Sequence, residues 1–201
     1  MTKTSKPLLK VTATLLNSWG YIFYGPTQYA EKSYQDFVAY LNREPFEPNF
    51  YMKRGIAFEK ACVEGKVPIV SDLIKGGAFQ TYVEKEMSVD GYDVKLLGYL
   101  DVLKEGVIYD IKRVNKYERP KYFNSYQHHI YLECVPEASE FHYLVAAGQK
   151  DDTVSLNIET YRQDEKHDLT LVISQFFSWL KQNDLFDVYL ENYNLNKGDL
   201  K

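Results

Sequence analysis

The chain has 201 residues, a net charge of −4, 45% apolar residues and 26% charged residues. That length suits one globular core, the acidic balance excludes a molecule that binds nucleic acid through overall charge, and no apolar run approaches the ~20 residues of a membrane-spanning helix. Cys62 and Cys134 match no zinc or iron–sulfur spacing, and the stretch Met1–Lys6 lacks a signal-peptide apolar run, so a reducing, cytoplasmic setting is expected.

In chain order, Val11, Leu15, Leu16, Trp19 and Phe23 recur at helical spacing and predict a helix over 12–24. Gly25-Pro26 ends it. A second helix is predicted over 27–43, before Pro45. A third begins after Pro48, a residue suited to a first helical turn, and stops near Gly65. Strands follow at 79–89, 92–103 and 107–114. Asp90-Gly91 joins the first pair and Glu105-Gly106 the second, and in each loop Gly supplies positive φ. A helix over 117–134 halts before Pro136. Strands at 140–148 and 153–161 form another hairpin. A long last helix, over 165–191, carries Leu169, Val172, Phe176, Trp179 and Leu180, and the polar tail Asn194–Lys201 is expected to fray. The pattern predicts an α/β fold, a mixed sheet of about five strands flanked by helices, in a single domain over 1–201 without internal repeats.

The second hairpin carries the most chemistry. With Glu105-Gly106 as its loop, Lys104 pairs with Val107, and counting back sets Asp101 opposite Asp110. Directly opposed residues share a face with Cβ atoms roughly 4.5–5.5 Å apart. Lys112, two residues on, projects from the Asp110 face, and Tyr99 and Leu103 are expected on the same side. A one-residue bulge would turn Asp101 to the other face. Two carboxylates so close raise one another's pKa, and a hard divalent cation such as Mg²⁺ or Mn²⁺ relieves the conflict. The bland alternative is a solvated hairpin with ordinary surface charges.

Directly after the hairpin, Lys112, Arg113, Lys116, Arg119 and Lys121 stand against the single acid Glu118. Such a run can hold a phosphate backbone beside a metal site, although charge runs are more often solvated connections. On the third helix, Glu59 sits among Ala57, Phe58, Ala61 and Cys62 and faces either solvent or a site. Gln127 and Tyr131, at i and i+4, share one helix face and could grip a phosphate or a base, or else mark a half-buried tyrosine. Tyr122 and Tyr126 are weaker candidates for base stacking. His128 and His129 are expected to point in different directions, His142 and His167 stand alone in sequence, and all four suit surface or core places better than ligand roles.

Together these parts resemble the PD-(D/E)XK nuclease superfamily, in its branch of RecB nuclease domains and phage-type exonucleases. That branch shows a Gly-x-x-x-(His or Glu) helix, a lone Asp, an (Asp/Glu)-x-Lys strand and a QxxxY helix. Here those are Gly55 with Glu59, Asp101, Asp110 with Lys112, and Gln127 with Tyr131, over roughly 50–135. D-x-K alone is a weak motif; four elements in order are far more specific. RecB-like members usually carry His at the Glu59 position, whereas lambda-exonuclease-like members use an acid. The Asp101-to-Asp110 interval is short for the family.

The resemblance implies a restriction-endonuclease-like core over about 50–161 and a metal-dependent deoxyribonuclease, with an exonuclease in DNA recombination or repair as the leading subtype and a phage origin compatible with it. Asp101, Asp110 and the backbone carbonyl of Ile111 would bind Mg²⁺ or Mn²⁺, and Glu59 would complete the shell or hold a second ion. Lys112 would orient the attacking water. Gln127, Tyr131, Arg113, Lys116 and Lys121 would hold the substrate. The four cysteines of the iron–sulfur branch are absent, so no cluster is expected. DNA is the implied partner, alongside a recombination or single-strand-binding protein, and a homo-oligomeric ring is compatible with it. Exo against endo action, polarity, strandedness and DNA against RNA stay open. Two other classes stay open as well: a silent binding module on a nuclease scaffold, which the intact Asp101, Asp110 and Lys112 disfavour, and an interaction protein whose hairpin is structural. No G-x-S-x-G, H-E-x-x-H or P-loop pattern points to another hydrolase.

Overall fold

The computed structural model describes residues 6–150 and 153–197. Residues 1–5, most of the segment read as free of a signal peptide, and 198–201, the end of the polar tail, lie outside them.

One sheet organises the chain. Its strands are β1 (Leu8–Val11), β2 (Ala78–Val89), β3 (Tyr92–Lys104), β4 (Val107–Val114), β5 (Glu140–Ala147) and β6 (Ser155–Arg162), six where about five were expected. The helices are α1 (Ala13–Tyr24), α2 (Ala30–Leu41), α3 (Phe50–Val63), α4 (Pro68–Ile74), α5 (Arg119–Phe123), α6 (Gln127–Cys134), α7 (Leu169–Gln182) and α8 (Phe186–Asn192). All three expected hairpins form: β5 pairs antiparallel with β6, and the turns Asp90-Gly91 and Glu105-Gly106 each have two positive φ values.

Strand β3 is the hinge of the architecture. One edge pairs antiparallel with β2 along its length. The other is shared: Asp93–Leu96 pair parallel with β1, and Val102–Lys104 pair antiparallel with β4. Between those two stretches residues 97–101 of this edge have no ladder partner among the described residues, and the candidate site lies beside that opening. From β4 the chain crosses over through α5 and α6 to β5, which runs parallel to β4, and β6 closes the sheet antiparallel to β5. The crossover follows from parallel pairing, which a tight turn cannot connect.

Apolar side chains cover both faces. A large cluster joins β1, β3 and β5 to α1, α2, α6, α7 and α8. A smaller one seats α3 and α4, through Phe58, Cys62, Val70 and Ile74, on Val102, Ile111, Leu144 and Ala146 of the opposite face. Strand β1 and helix α4 were not expected. β1 has four residues and owes its conformation to its parallel partner, and α4 is a seven-residue helix opened by Pro68. The helix predicted over 117–134 divides at Asn124-Ser125-Tyr126, and that over 165–191 divides at Asn183–Leu185, where Asp184 takes φ 56°. The tail does not fray over Asn194–Lys197: Asn194 bridges to Leu9 and the Asn196 amide donates to the Lys6 carbonyl at 2.6 Å.

Candidate active site

The β3–β4 ladder has the expected register, Lys104 with Val107, but ends at Val102↔Tyr109, one pair short of the two aspartates. There the Asp101 carboxylate accepts the Ile111 backbone N–H at 2.8 Å. Leu100 and Leu103 both pack into the large cluster, whereas Val102 packs into the small one. Strict alternation cannot put positions 100 and 103 on one face, so β3 is irregular at Asp101. Tyr99 stands exposed against the Tyr82 ring instead of beside the carboxylates, a departure from the expected shared face that follows from this irregularity.

Asp110 is 1% exposed. Its Oδ1 accepts from Gln127 Nε2 at 2.6 Å and its Oδ2 lies 2.7 Å from Lys112 Nζ. Both oxygens of this buried carboxylate are thus engaged, Oδ1 by an amide and Oδ2 by an ammonium. Burial raises the Asp110 pKa, Lys112 pulls it back and Asp101 pushes it up again, with a net rise. Burial likewise raises Asp101, against Lys112 and the Ile111 N–H. Burial opposes the Lys112 charge, but Asp110 and Asp101 outweigh it and hold the ammonium above its usual value. Glu59 is raised by burial and then by Asp101. Two hairpin carboxylates, one helix carboxylate and one ammonium therefore share a field.

Glu59 is held from an unexpected side. Its Oε1 accepts from Gln80 Nε2 at 2.6 Å. Gln80 takes φ 48°, a left-handed value uncommon for a side-chain-bearing residue, at the β2 position facing Asp101 between the pairs Phe79↔Val102 and Thr81↔Leu100. Such a conformation costs about 1–2 kcal/mol and survives only where surroundings dictate it. No sequence signal marks Gln80. A second unforeseen device fixes Gln127. Asn17 Oδ1 accepts the Tyr126 N–H at 2.7 Å, and Ser125 Oγ accepts from the Gln127 N–H at 3.2 Å and from Tyr143 Oη at 3.0 Å. This junction divides α5 from α6 and starts α6 at Gln127.

Tyr131 is 7% exposed, and a Cβ on Gly98 would stand 2.6 Å from its Cε1. Glycine at 98 lets the ring press onto β3, where Tyr131 packs α6 on the sheet within the field of Asp110, Lys112 and Asp101. Tyr122 is buried between Tyr117 and Tyr143, and Tyr126 stacks on Trp19. These rings are occupied by packing, which corrects the stacking roles expected for them. Arg113 lines the cleft above the site, and its guanidinium donates to the carbonyls of Val114, Ala146 and Lys150 and lies over the Phe58 ring. Lys116, 3.4 Å from Glu118, and Lys121 do face open space.

A cleft of about 1020 Å³ opens over this cluster, with Glu59, Ile111, Lys112 and Gln127 in its lining. Among the described residues no three His, Cys, Asp or Glu side chains converge as a metal cage. The donor chemistry nonetheless fits a hard divalent cation: Asp101, Asp110 and Glu59 supply carboxylate oxygens, and Asp101 raises the pKa of both of the others. The histidines form a separate group. His128 and His129 do not diverge; their rings lie 3.9 Å apart, His129 stacks on His167 and His128 on Tyr161. His142 is 2.7 Å from Glu140, so it does not stand alone either.

No family profile and no curated protein matches the chain. Solved structures do. The crystal structure of SSO0001 aligns with a TM-score of 0.53 at 15% identity, over 90% of this chain and 80% of that one. An alkaline exonuclease, LHK-Exo from Laribacter hongkongensis, aligns at 0.51 and 13% identity over 90% of each chain. Its complex with dAMP aligns at 0.51 and 13%, over 87% of this chain and 89% of that one. At such identities the likeness is one of fold. The chain shares the fold of these structures, a six-stranded mixed sheet flanked by helices.

Proposed function

We propose that this protein is a metal-dependent deoxyribonuclease, an exonuclease serving DNA recombination or repair, with its reactive centre at Asp101, Asp110, Lys112 and Glu59. The observation that carries the reading is the meeting of Asp101, Asp110 and Lys112 beside the opening in β3, next to a cleft of about 1020 Å³ that Lys112 and Glu59 line. Asp101, Asp110 and the Ile111 carbonyl would hold Mg²⁺ or Mn²⁺, with Glu59 completing the shell. A bound divalent cation lowers the pKa of water and offsets charge on a phosphoryl oxygen. The chain's own groups supply the rest. Gln127 fixes the Asp110 carboxylate through Nε2, Gln80 fixes Glu59, and the Lys112 ammonium orients the attacking water and balances charge on the phosphate in the transition state. Lys116 and Lys121 meet the backbone of the strand.

One observation favours a second reading, a nucleic-acid-binding module without chemistry: Lys112 and Gln127 cap Asp110, and the three carboxylates do not form a cage. Incubation of end-labelled linear DNA and closed circular DNA with Mg²⁺, Mn²⁺ or a chelator separates the two. Metal-dependent loss of the linear substrate alone supports the exonuclease. Cleavage of the circle as well makes the enzyme an endonuclease. Binding without cleavage under every metal supports the silent module.

A further inference from the structure

The cleft has two unlike walls. On one side stand Lys116 and Lys121, with Lys112 at the floor. From α1 and α3 come the exposed apolar side chains Tyr21, Tyr24, Tyr51, Met52 and Ile56, among the polar Thr14, Asn17, Ser18 and Glu59. Tyr51 and Ile56 are each 62% exposed. Exposed apolar groups gathered at the mouth of a cleft mark a binding surface more often than chance.

Gly55 lies on α3 in the same lining, one turn before Glu59. A Cβ built there meets nothing within 4 Å. Glycine inside a helix lowers its stability relative to alanine, and here no packing within the chain requires it. What its missing side chain provides is access of a ligand to the helix backbone beside Glu59.

We propose that the cleft takes a single-stranded nucleic-acid end, with unpaired bases stacked on the α1–α3 wall across Gly55 and the phosphates along Lys116 and Lys121. This rests on the nuclease reading for the identity of the ligand and adds its strandedness. The charges decide between single strand and duplex. In a duplex the bases are stacked on one another and only phosphates meet a protein wall, so affinity scales with the cations available. Of the four cations in the lining three are already engaged, Lys112 with Asp110, Arg113 with the carbonyls of Val114, Ala146 and Lys150, and Lys116 with Glu118; the fourth is Lys121. Base–aromatic stacking is independent of net charge and needs unpaired bases.

The test is fluorescence anisotropy in EDTA, which removes cleavage, with a labelled single-stranded 12-mer, the same sequence as a blunt duplex, and an abasic single strand of equal length. We expect the single strand to bind at least about tenfold tighter than either other probe. Tyr51→Ala, at an exposed position, should weaken single-strand binding roughly five- to hundredfold and leave the duplex unchanged. Gly55→Ala should raise the Tm by roughly 2–4 °C yet weaken the single strand. Equal affinity for single strand and duplex, equal affinity for the abasic strand, or no effect of Tyr51→Ala overturns the inference. Single-strand preference without cleavage under any metal upholds it while the nuclease reading falls. Metal-dependent cleavage with duplex preference leaves the nuclease standing and overturns the inference.

Discussion

Helix α6 carries two buried polar groups that face opposite ways, and they handle burial differently. Gln127, its first residue, turns to Asp110, Asp101 and Lys112; His128 and His129, the next two, turn to His167, Tyr161 and a pocket of about 220 Å³. In the first group opposite charges face one another, so the Lys112 ammonium stays charged although burial opposes it. In the second group the near neighbours are other imidazoles. Burial and the adjacent rings push His128 down to about 2 and His129 down to about 3, so both stay neutral. One region keeps its charge available beside an open cleft, and the other surrenders its charge to become packing. That contrast, and not the mere presence of titratable residues, supports the proposal that the carboxylate–lysine group is the chemical site.

The comparison breaks most visibly in activity. Lys112→Met removes the ammonium while keeping the stem, and we expect kcat to fall about 10²–10³-fold. The Tm should fall too, because buried Asp110 loses its counter-charge, so single-turnover cleavage is read at a temperature where thermal unfolding shows the variant folded. Asp110→Asn should abolish activity to a similar degree, with a fold kept by the isosteric amide.

Acid should break the histidine side. The folded pKa values of His128 and His129 lie below the ordinary 6.5, so between pH 6.5 and about 3 the unfolded chain binds protons that the fold excludes. Stability is therefore full above 6.5 and falls as the pH drops through that window, by about 1 kcal/mol per pH unit for each histidine. Urea midpoints from pH 7 to 5 should show this slope, and His128→Gln should reduce it.

Gly98→Ala sharpens the comparison at its shared support. The added methyl would meet the Tyr131 ring at 2.6 Å, which we expect to cost about 1–3 kcal/mol through overpacking, read from denaturant unfolding. The smallest effect belongs to Gln80→Gly. It relieves the φ of 48° and should stabilise the fold by up to about 1 kcal/mol, while freeing Glu59 and lowering kcat. A stability gain without a kinetic loss would remove Gln80 from the site.

Residues with local signals were legible in sequence. The two glycine turns fixed their hairpins, and the β4 alternation put Asp110 and Lys112 on one face. Arg113, one residue on, also lines the cleft, but its anchoring on the carbonyls of Val114, Ala146 and Lys150 carried no signal in the charge run. What depended on distant partners was not legible. β1 is a strand because β3 receives it, α5 and α6 separate because Asn17 reaches 109 residues along the chain to the Tyr126 N–H, and Glu59 is positioned by an amide from β2. The irregularity at Asp101 lies in the same class, since the ladder ends where a side chain takes over the Ile111 N–H.

The measurement that bears most directly on the central claim is Mg²⁺-dependent cleavage of an end-labelled DNA strand by the wild type, Lys112→Met and His128→Gln at pH 8, where the histidines are neutral in folded and unfolded chains alike. We expect cleavage by the wild type and by His128→Gln and loss of at least about 10²-fold in Lys112→Met. Full activity in folded Lys112→Met, or loss confined to His128→Gln, would contradict the assignment of the reactive centre to the carboxylate–lysine group.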